Sequence, residues 1–266
     1  MDTAPGHPEI VRFVAPNPGA MTLEGTNSYV LRAADADGHA GAIVVDPGPL
    51  DELHLAAVVA AADGHVGLVL LTHGHPDHSD GALLLQEMTG APMAAADPRF
   101  CVGTEPLRAG THIDGVAGLD VRVLATPGHT ADSVSFVVPG DEPGLLTGDT
   151  ILGRGTTVVA HPDGRLVDYL GSLAAIRDLP GPLTLLPGHG PAGGDAGERA
   201  AAYLAHRAER LAQVRAALAA GDTTPQQVVR RVYADVDESL WPAAELSVRA
   251  QLDYLAETEG SPPLPK

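Results

Sequence analysis

Five short apolar runs, each stopping at a turn built from glycine or proline, set what this chain can become: AIVVDPG (42–48), VGLVLLTHG (66–74), VRVLATPGHT (121–130), GLLTGDT (144–150) and LTLLPGHG (183–190). Each is strand-length, rich in β-branched residues or leucine and closed by turn chemistry, which predicts buried strands. Helical patterns lie between some of them. ELHLAAVVAAA (52–62) is one; ALLLQEM, which Ser79 or Asp80 can cap, is another. Strands interleaved with helices predict a layered α/β domain.

The pattern changes after Gly193–Gly194. Ala196–Ala220 reads as one long helix ending at Gly221. Thr224 and Pro225 supply a cap and a first-turn proline for QQVVRRVY, and a third helical run, Pro242–Glu259, stops at Gly260. The expected organisation is a catalytic α/β domain over 1–194 and a three-helix module over 195–266.

Composition narrows the class. The 266 residues can bury a sizeable core, and 44% hydrophobic with 19% charged residues excludes a disordered chain. No apolar run approaches the ~18–20 residues that cross a bilayer. The start, MDTAPGHPEI, lacks the basic-then-apolar form of a secretory signal, and Cys101 alone makes no intrachain disulfide. The expectation is a cytoplasmic protein with no membrane partner. Its net charge is −18: residues 1–195 hold 8 basic against 24 acidic side chains, net −16, and residues 196–266 hold 8 against 10, net −2. Such a surface repels polyanions at long range, while a local basic patch remains able to bind one.

The densest chemistry is Thr72-His73-Gly74-His75-Pro76-Asp77-His78, four ligand-type side chains within six residues where an apolar run opens into a loop. Imidazoles and a carboxylate are the donors that zinc and its first-row neighbours prefer. Gly74 lets the backbone turn tightly enough for them to converge. Three more strand ends carry one such residue each: His129 in PGHT, Asp149 in TGDT and His189 in PGHG. Any one of these turns is ordinary; their shared context is not.

The series THGHPDH, GHT, GDT, PGHG resembles that of the metallo-β-lactamase superfamily. NPGAMTLEGTNSYVL (17–31), GDTILGRGTTVV (148–159), DYLGSL (168–173) and HRAERLAQ (206–213) resemble the β-lactamase-like protein 2 group within it. The resemblance implies an αβ/βα sandwich followed by a small winged-helix-like helical module. It implies His73, His75 and His129 on a first metal, Asp77, His78 and His189 on a second, and Asp149 bridging them. Two divalent ions follow as cofactors, zinc foremost, with manganese and iron accepting the same ligands. Ions ~3.5–4 Å apart can share a water and generate hydroxide near neutral pH, with Asp77 and Asp149 as the catalytic carboxylates beside it.

The leading expectation is a dinuclear hydrolase of a small-molecule ester or thioester, favoured by the acidity of residues 1–195. The resembled group includes endoribonucleases, so single-stranded RNA is the alternative substrate. A nucleic-acid-binding regulator acting through the helical module is a third reading, opposed by that module's net −2. Other residues carry two readings each. Asp46 is a turn former or a support for a metal-bound histidine; Thr26–Asn27 form a turn or touch substrate; Arg154–Thr157 form a structural loop or line the pocket. Arg207, Arg210 and Arg215 read as a solvated helix face, with Arg207 or Arg210 meeting an anionic substrate group as the functional alternative. The remaining histidines read as surface or packing residues, and Cys101 as buried.

Overall fold

Apolar runs buried on both faces become the strands that position everything else. The computed structural model describes residues 1–34 and 38–259. In chain order the elements begin with β1 (Asp2–Ala4), β2 (His7–Val14), β3 (Asn27–Ala34), β4 (Ala40–Val45), α1 (Glu52–Ala61) and β5 (Val66–Leu70). Next come α2 (Pro76–Ser79), α3 (Ala82–Thr89), β6 (Met93–Ala94), β7 (His112–Val116) and β8 (Leu119–Ala125). The rest are β9 (Val134–Val138), β10 (Gly144–Gly148), α4 (Leu166–Arg177), β11 (Thr184–Pro187), α5 (Ala196–Ala219), α6 (Pro225–Val232) and α7 (Trp241–Glu259).

The chain forms two units. The first holds Met1–Thr126, Asp132–Gly155 and Pro180–Ala196; the second holds Pro127–Ala131, Thr156–Leu179 and the chain from Gly197 onward. The first contains a six-stranded sheet in the order β1-β2-β3-β4-β5-β6 and a five-stranded sheet in the order β11-β10-β9-β8-β7. β4 runs parallel to β5, and β5 to β6; β10 runs parallel to β11, and the remaining pairs are antiparallel.

Alternation along each strand divides the apolar residues between two cores. Ile10, Tyr29, Leu31, Ile43, Val45, Leu68 and Leu70 join Val121, Val123, Phe136, Leu146 and Leu186 of the second sheet. Their neighbours Val11, Val30, Val44, Val69 and Leu71 turn the other way and pack with Leu55 and Val58 of α1 and Leu85 of α3. A sheet covered on both faces needs continuous apolar strands, which is why β4 and β5 end in unbroken apolar runs.

Helix α1 starts where expected, with Asp51 accepting a bond from the His54 amide. Helix α3 does not. Its cap is Gly81, with no side-chain bond, instead of Ser79 or Asp80. The Gly81 amide instead donates to Gly48 O, and a Cβ there would lie 2.9–3.0 Å from the carbonyls of Pro49 and Gly48. Ser79 belongs to the separate one-turn helix α2, where its hydroxyl donates to the carbonyls of Gly74 and His75.

The second unit is helical. α6 carries a capping box, Thr224 accepting from the Gln227 amide while the Gln227 side chain accepts from the Thr224 amide. Tyr169 and Leu173 of α4, Tyr203 and Val214 of α5, Val228 of α6, and Val248 and Leu255 of α7 are buried. Gly260, the expected stop of the last helix, lies outside the described residues. No described helix is long and apolar enough to cross a membrane.

Candidate metal centre

Parallel strands bring their C-terminal ends together, and the first unit's ligand-type residues stand just beyond those ends. Val45 of β4 pairs with Leu70 of β5, so the residues that follow each strand become neighbours. Asp46, 2% exposed, takes a left-handed backbone (φ 50°), a region aspartate tolerates better than most residues. Its Oδ1 accepts the Thr72 amide at 2.8 Å, and its Oδ2 accepts the Thr72 hydroxyl at 2.7 Å and His78 Nδ1–H at 2.8 Å. The aspartate of the Asp-Pro-Gly turn is therefore a support for His78 as well as a turn residue.

These bonds assign the histidine tautomers. His78 donates through Nδ1, leaving Nε2 as the atom it can offer a metal. The Thr72 hydroxyl gives its proton to Asp46, so at 3.1 Å it accepts from His73 Nδ1–H, and His73 Nε2 approaches His75 Nδ1 at 3.1 Å. His189 donates Nδ1–H to Gly25 O at 3.2 Å, again directing Nε2 inward.

The inward atoms converge. His78 Nε2 and His189 Nε2 are 3.3 Å apart. Asp149 Oδ1 lies 3.4 and 3.3 Å from them, and Asp77 Oδ2 lies 3.5 and 3.1 Å from them. A tetrahedron with metal–ligand bonds of 2.0–2.1 Å has an edge of about 3.3 Å. Among the described residues of this unit, His73–His78–Asp149 and Asp77–His78–His189 each bring three ligand-type atoms within 4.8 Å of one another. The residues fit a divalent ion in donor type and in spacing.

Charge agrees with spacing. Burial opposes a proton on His189, but Asp149 and Asp77 outweigh it and push the imidazole up to about 9. Burial likewise opposes charge on His78, and Asp46 with Asp149 raises it well above the usual imidazole value. The same histidines hold Asp149 well below the carboxylate range against the cost of its burial, and a bond from His189 lowers Asp77 against its own. The cluster's carboxylates thus favour positive charge among the imidazoles, as a cation site does.

Close backbone approach makes the arrangement possible. A Cβ at Gly148 (φ 48°) would sit 2.4 Å from Thr72 Oγ1, and one at Gly188 would sit 2.7 Å from Asp149 Oδ1 and 2.8 Å from His78 Cε1. Asn27 fastens the His189 turn, its side-chain amide donating to Pro187 O (2.8 Å) and Gly190 O (2.9 Å) and its backbone amide to Gly188 O (2.7 Å). Thr26 donates to Asp77 Oδ2 at 3.4 Å and is braced by Asn17. Motif reading missed Asn27 as the clamp; its only signal was the NPGAMTLEGTNSYVL stretch.

His129 belongs to the second unit, on the segment Pro127–Ala131, and is 4% exposed. Its Nδ1–H donates to Val158 O at 2.7 Å, with Thr157 Oγ1 at 3.4 Å, so the atom it can offer a metal is also Nε2.

Five other residues depart from expectation or resolve it. Arg207 is 2% exposed instead of solvated, because Tyr169 and the Thr157 carbonyl take its guanidinium. Arg210 donates to Val232 O and stacks on Tyr233, and Arg215 alone of the three is an exposed ion-pair residue, with Glu259. Cys101 is half-buried, its thiol facing the carbonyls of Ala95 and Asp97. Arg154 pairs with Glu24 at the surface.

Two facing sheets with His/Asp loops at the ends of their parallel strands define the metallo-β-lactamase fold. The chain belongs to the metallo-beta-lactamase superfamily, whose profile matches residues 21–189; a beta-lactamase associated winged helix domain matches residues 224–260. It is 32% identical to a beta-lactamase-like protein 2 homolog of Drosophila melanogaster, over 94% of this chain and 88% of that protein. It is 33% identical to an atrochrysone carboxyl ACP thioesterase of Aspergillus chevalieri, over 88% of this chain and 76% of that protein. A metallo-beta-lactamase family protein of Thermus thermophilus shares its fold at TM-score 0.78 and 24% identity, over 96% of this chain and 97% of that one.

Proposed function

We propose that this protein is a hydrolase that works with two divalent metal ions on an ester or thioester. The observation that carries the reading is the convergence of His78, His189, Asp77 and Asp149 at the edge length of a metal tetrahedron. In it, His73, His75 and His129 hold one ion, Asp77, His78 and His189 hold the other, and Asp149 is shared; zinc, manganese and iron all accept these donors. When bound, such a pair supplies Lewis acidity and a nucleophile at neutral pH.

The chain's own residues prepare that chemistry. Asp46 holds His78 in one tautomer, Gly25 O does the same for His189, and Val158 O for His129. Thr26 directs Asp77, and Asn27 keeps the His189 turn closed against Asp149. No Ser or Cys nucleophile is called for, and Cys101 is turned toward backbone carbonyls.

The thioesterase relative supports a thioester, and so does the acidity of residues 1–195, which disfavours a polyanion. The beta-lactamase-like protein 2 relatives favour a second reading, cleavage of single-stranded RNA. Turnover of thioesters, esters, phosphodiesters and single-stranded RNA, compared at constant metal loading across a salt series, separates the two. The expected result is thioester or ester hydrolysis whose kcat/KM changes little with salt. Efficient RNA cleavage that weakens with a log–log slope of ~−0.7 per contacted phosphate, and disappears in Asp149→Ala, would establish the nuclease instead.

A further inference from the structure

A buried guanidinium with no carboxylate beside it needs a reason, because desolvating a cation without a counter-charge is costly. Arg207, on α5, is such a group. It is 2% exposed, and among the described residues no acid pairs with it and its Nε meets no acceptor. Two contacts hold it. Its guanidinium lies over the Tyr169 ring, 5.1 Å from the centroid, and its Nη2 donates to Thr157 O.

Those two contacts fall on the two walls around His129. One wall is the first turns of α4. Gly128 is pressed so close to it that a Cβ would lie 2.3–2.4 Å from Tyr169 atoms, and Ser172 donates to Pro127 O at 2.7 Å. The other wall is the segment from Thr157 to Ala160. Val158 O accepts His129 Nδ1–H at 2.7 Å, and the Ala160 amide donates to His129 O at 3.0 Å. Arg207 is bonded to the residue before Val158 and stacked on the residue that Gly128 touches. It ties both walls together, at Tyr169 where Gly128 rests and at Thr157 beside the Val158 carbonyl.

We propose that Arg207 is a positioning residue for His129, fixing the ring's tautomer and direction and so tuning the affinity of the metal that His129 holds. The inference rests on the reading of His129 as a ligand. It gives the helical tail a part in metal binding: α5 supplies the clamp for a ligand that lies almost eighty residues earlier in the chain. A guanidinium suits the task because its planar fork can stack on a ring and donate in its own plane at once. A neutral donor would satisfy Thr157 O but would not grip Tyr169.

Co2+ titration of the metal-free protein, followed by the visible absorption of the bound ion with a competing chelator, tests this without any substrate. Four proteins are compared: wild type, Arg207→Met, Arg207→Lys and His129→Ala. Arg207→Met is expected to weaken one of the two Co2+ sites by about 10–100-fold, the usual cost of removing a group that orients a ligand. The other site stays within threefold. Arg207→Lys, which keeps a cation over Tyr169 and one donor, is expected to fall between and to keep the test open should the Met variant fail to fold. Wild-type affinity at both sites in both Arg207 variants, with His129→Ala impaired, overturns the inference alone. Equal weakening of both sites along with a lower Tm of the metal-free protein also overturns it, because that is the mark of a structural role. Wild-type Co2+ binding by His129→Ala overturns the ligand reading itself, and the inference falls with it.

Discussion

His78 and His129 are both buried imidazoles that offer Nε2 and anchor Nδ1 to an oxygen, yet the two are held by different means. His78 leans on the carboxylate of Asp46, which Thr72 grips through its amide and hydroxyl where two parallel strands of a doubly covered sheet end. His129 leans on a peptide carbonyl, Val158 O, in a segment outside any strand or helix. That segment is steadied by side chains from far along the chain, Arg207 of α5 and Ser247 of α7. Where the sheet supplies a rigid backbone, one acidic residue in a turn is enough to orient a ligand. Where a loop supplies it, the orientation must be borrowed from helices. A carboxylate also raises the basicity of an imidazole more than a carbonyl does, so the two rings are backed by acceptors of different strength.

The largest effect should come from the residue on which the proposed metal pair depends most. Asp149→Ala is expected to lower turnover by about 10³-fold or more while circular dichroism shows an intact fold, because the apolar strands around it do not need its carboxylate. Elemental analysis of the purified variant should show metal content falling with activity. Normal turnover with full metal content would break the idea that one carboxylate serves both ions.

How much of this was legible beforehand follows from where the chemistry is written. The strands could be read because burial on both faces leaves continuous apolar runs, and the ligand-type residues stood out because each follows such a run in a contiguous motif. Asp46 could be read only halfway, since Asp-Pro-Gly is a sufficient turn by itself and the bond to His78 spans 32 residues. Gly81 as the cap of α3 was hidden because the reason is steric, a close approach to Gly48 and Pro49. Arg207 was misread altogether. In HRAERLAQ it stands beside charged neighbours, and nothing local shows that its partners are a ring on α4 and a carbonyl in a loop. The placement of Pro127–Ala131 in the helical unit is of the same kind: the ligand-type residues all precede residue 196, yet the unit holding His129 is built largely from the tail.

The next effect in size mirrors the Arg207 test. Asp46→Asn keeps an acceptor for the Thr72 amide but removes the carboxylate behind His78. Co2+ titration should show a 10–100-fold weaker site at His78, with a smaller loss at the site that Arg207→Met weakens, because Asp46 also takes the Thr72 hydroxyl on which His73 leans. A double variant should then weaken both sites, roughly additively, because the two residues share no partner. Identical titration curves for the two single variants would mean that the ions bind as one cooperative unit, and the comparison between two separately held histidines would fail.

The smallest effect asks whether charge or simple bracing matters at the His129 wall. Ser247 Oγ accepts the Val159 amide at 3.3 Å, so it braces the same segment as Arg207 with a neutral, long bond. Ser247→Ala leaves a buried amide without that acceptor, which costs on the order of 1–2 kcal/mol of stability. Thermal or urea unfolding of the metal-free protein should register this loss. Metal affinity should not follow, because Arg207 still ties Thr157 to Tyr169 and the Val158 carbonyl keeps its direction. The expected change at either Co2+ site is less than threefold. A tenfold loss in Ser247→Ala would show that general tightness of the segment orients His129, and the guanidinium would then be one brace among several instead of the clamp.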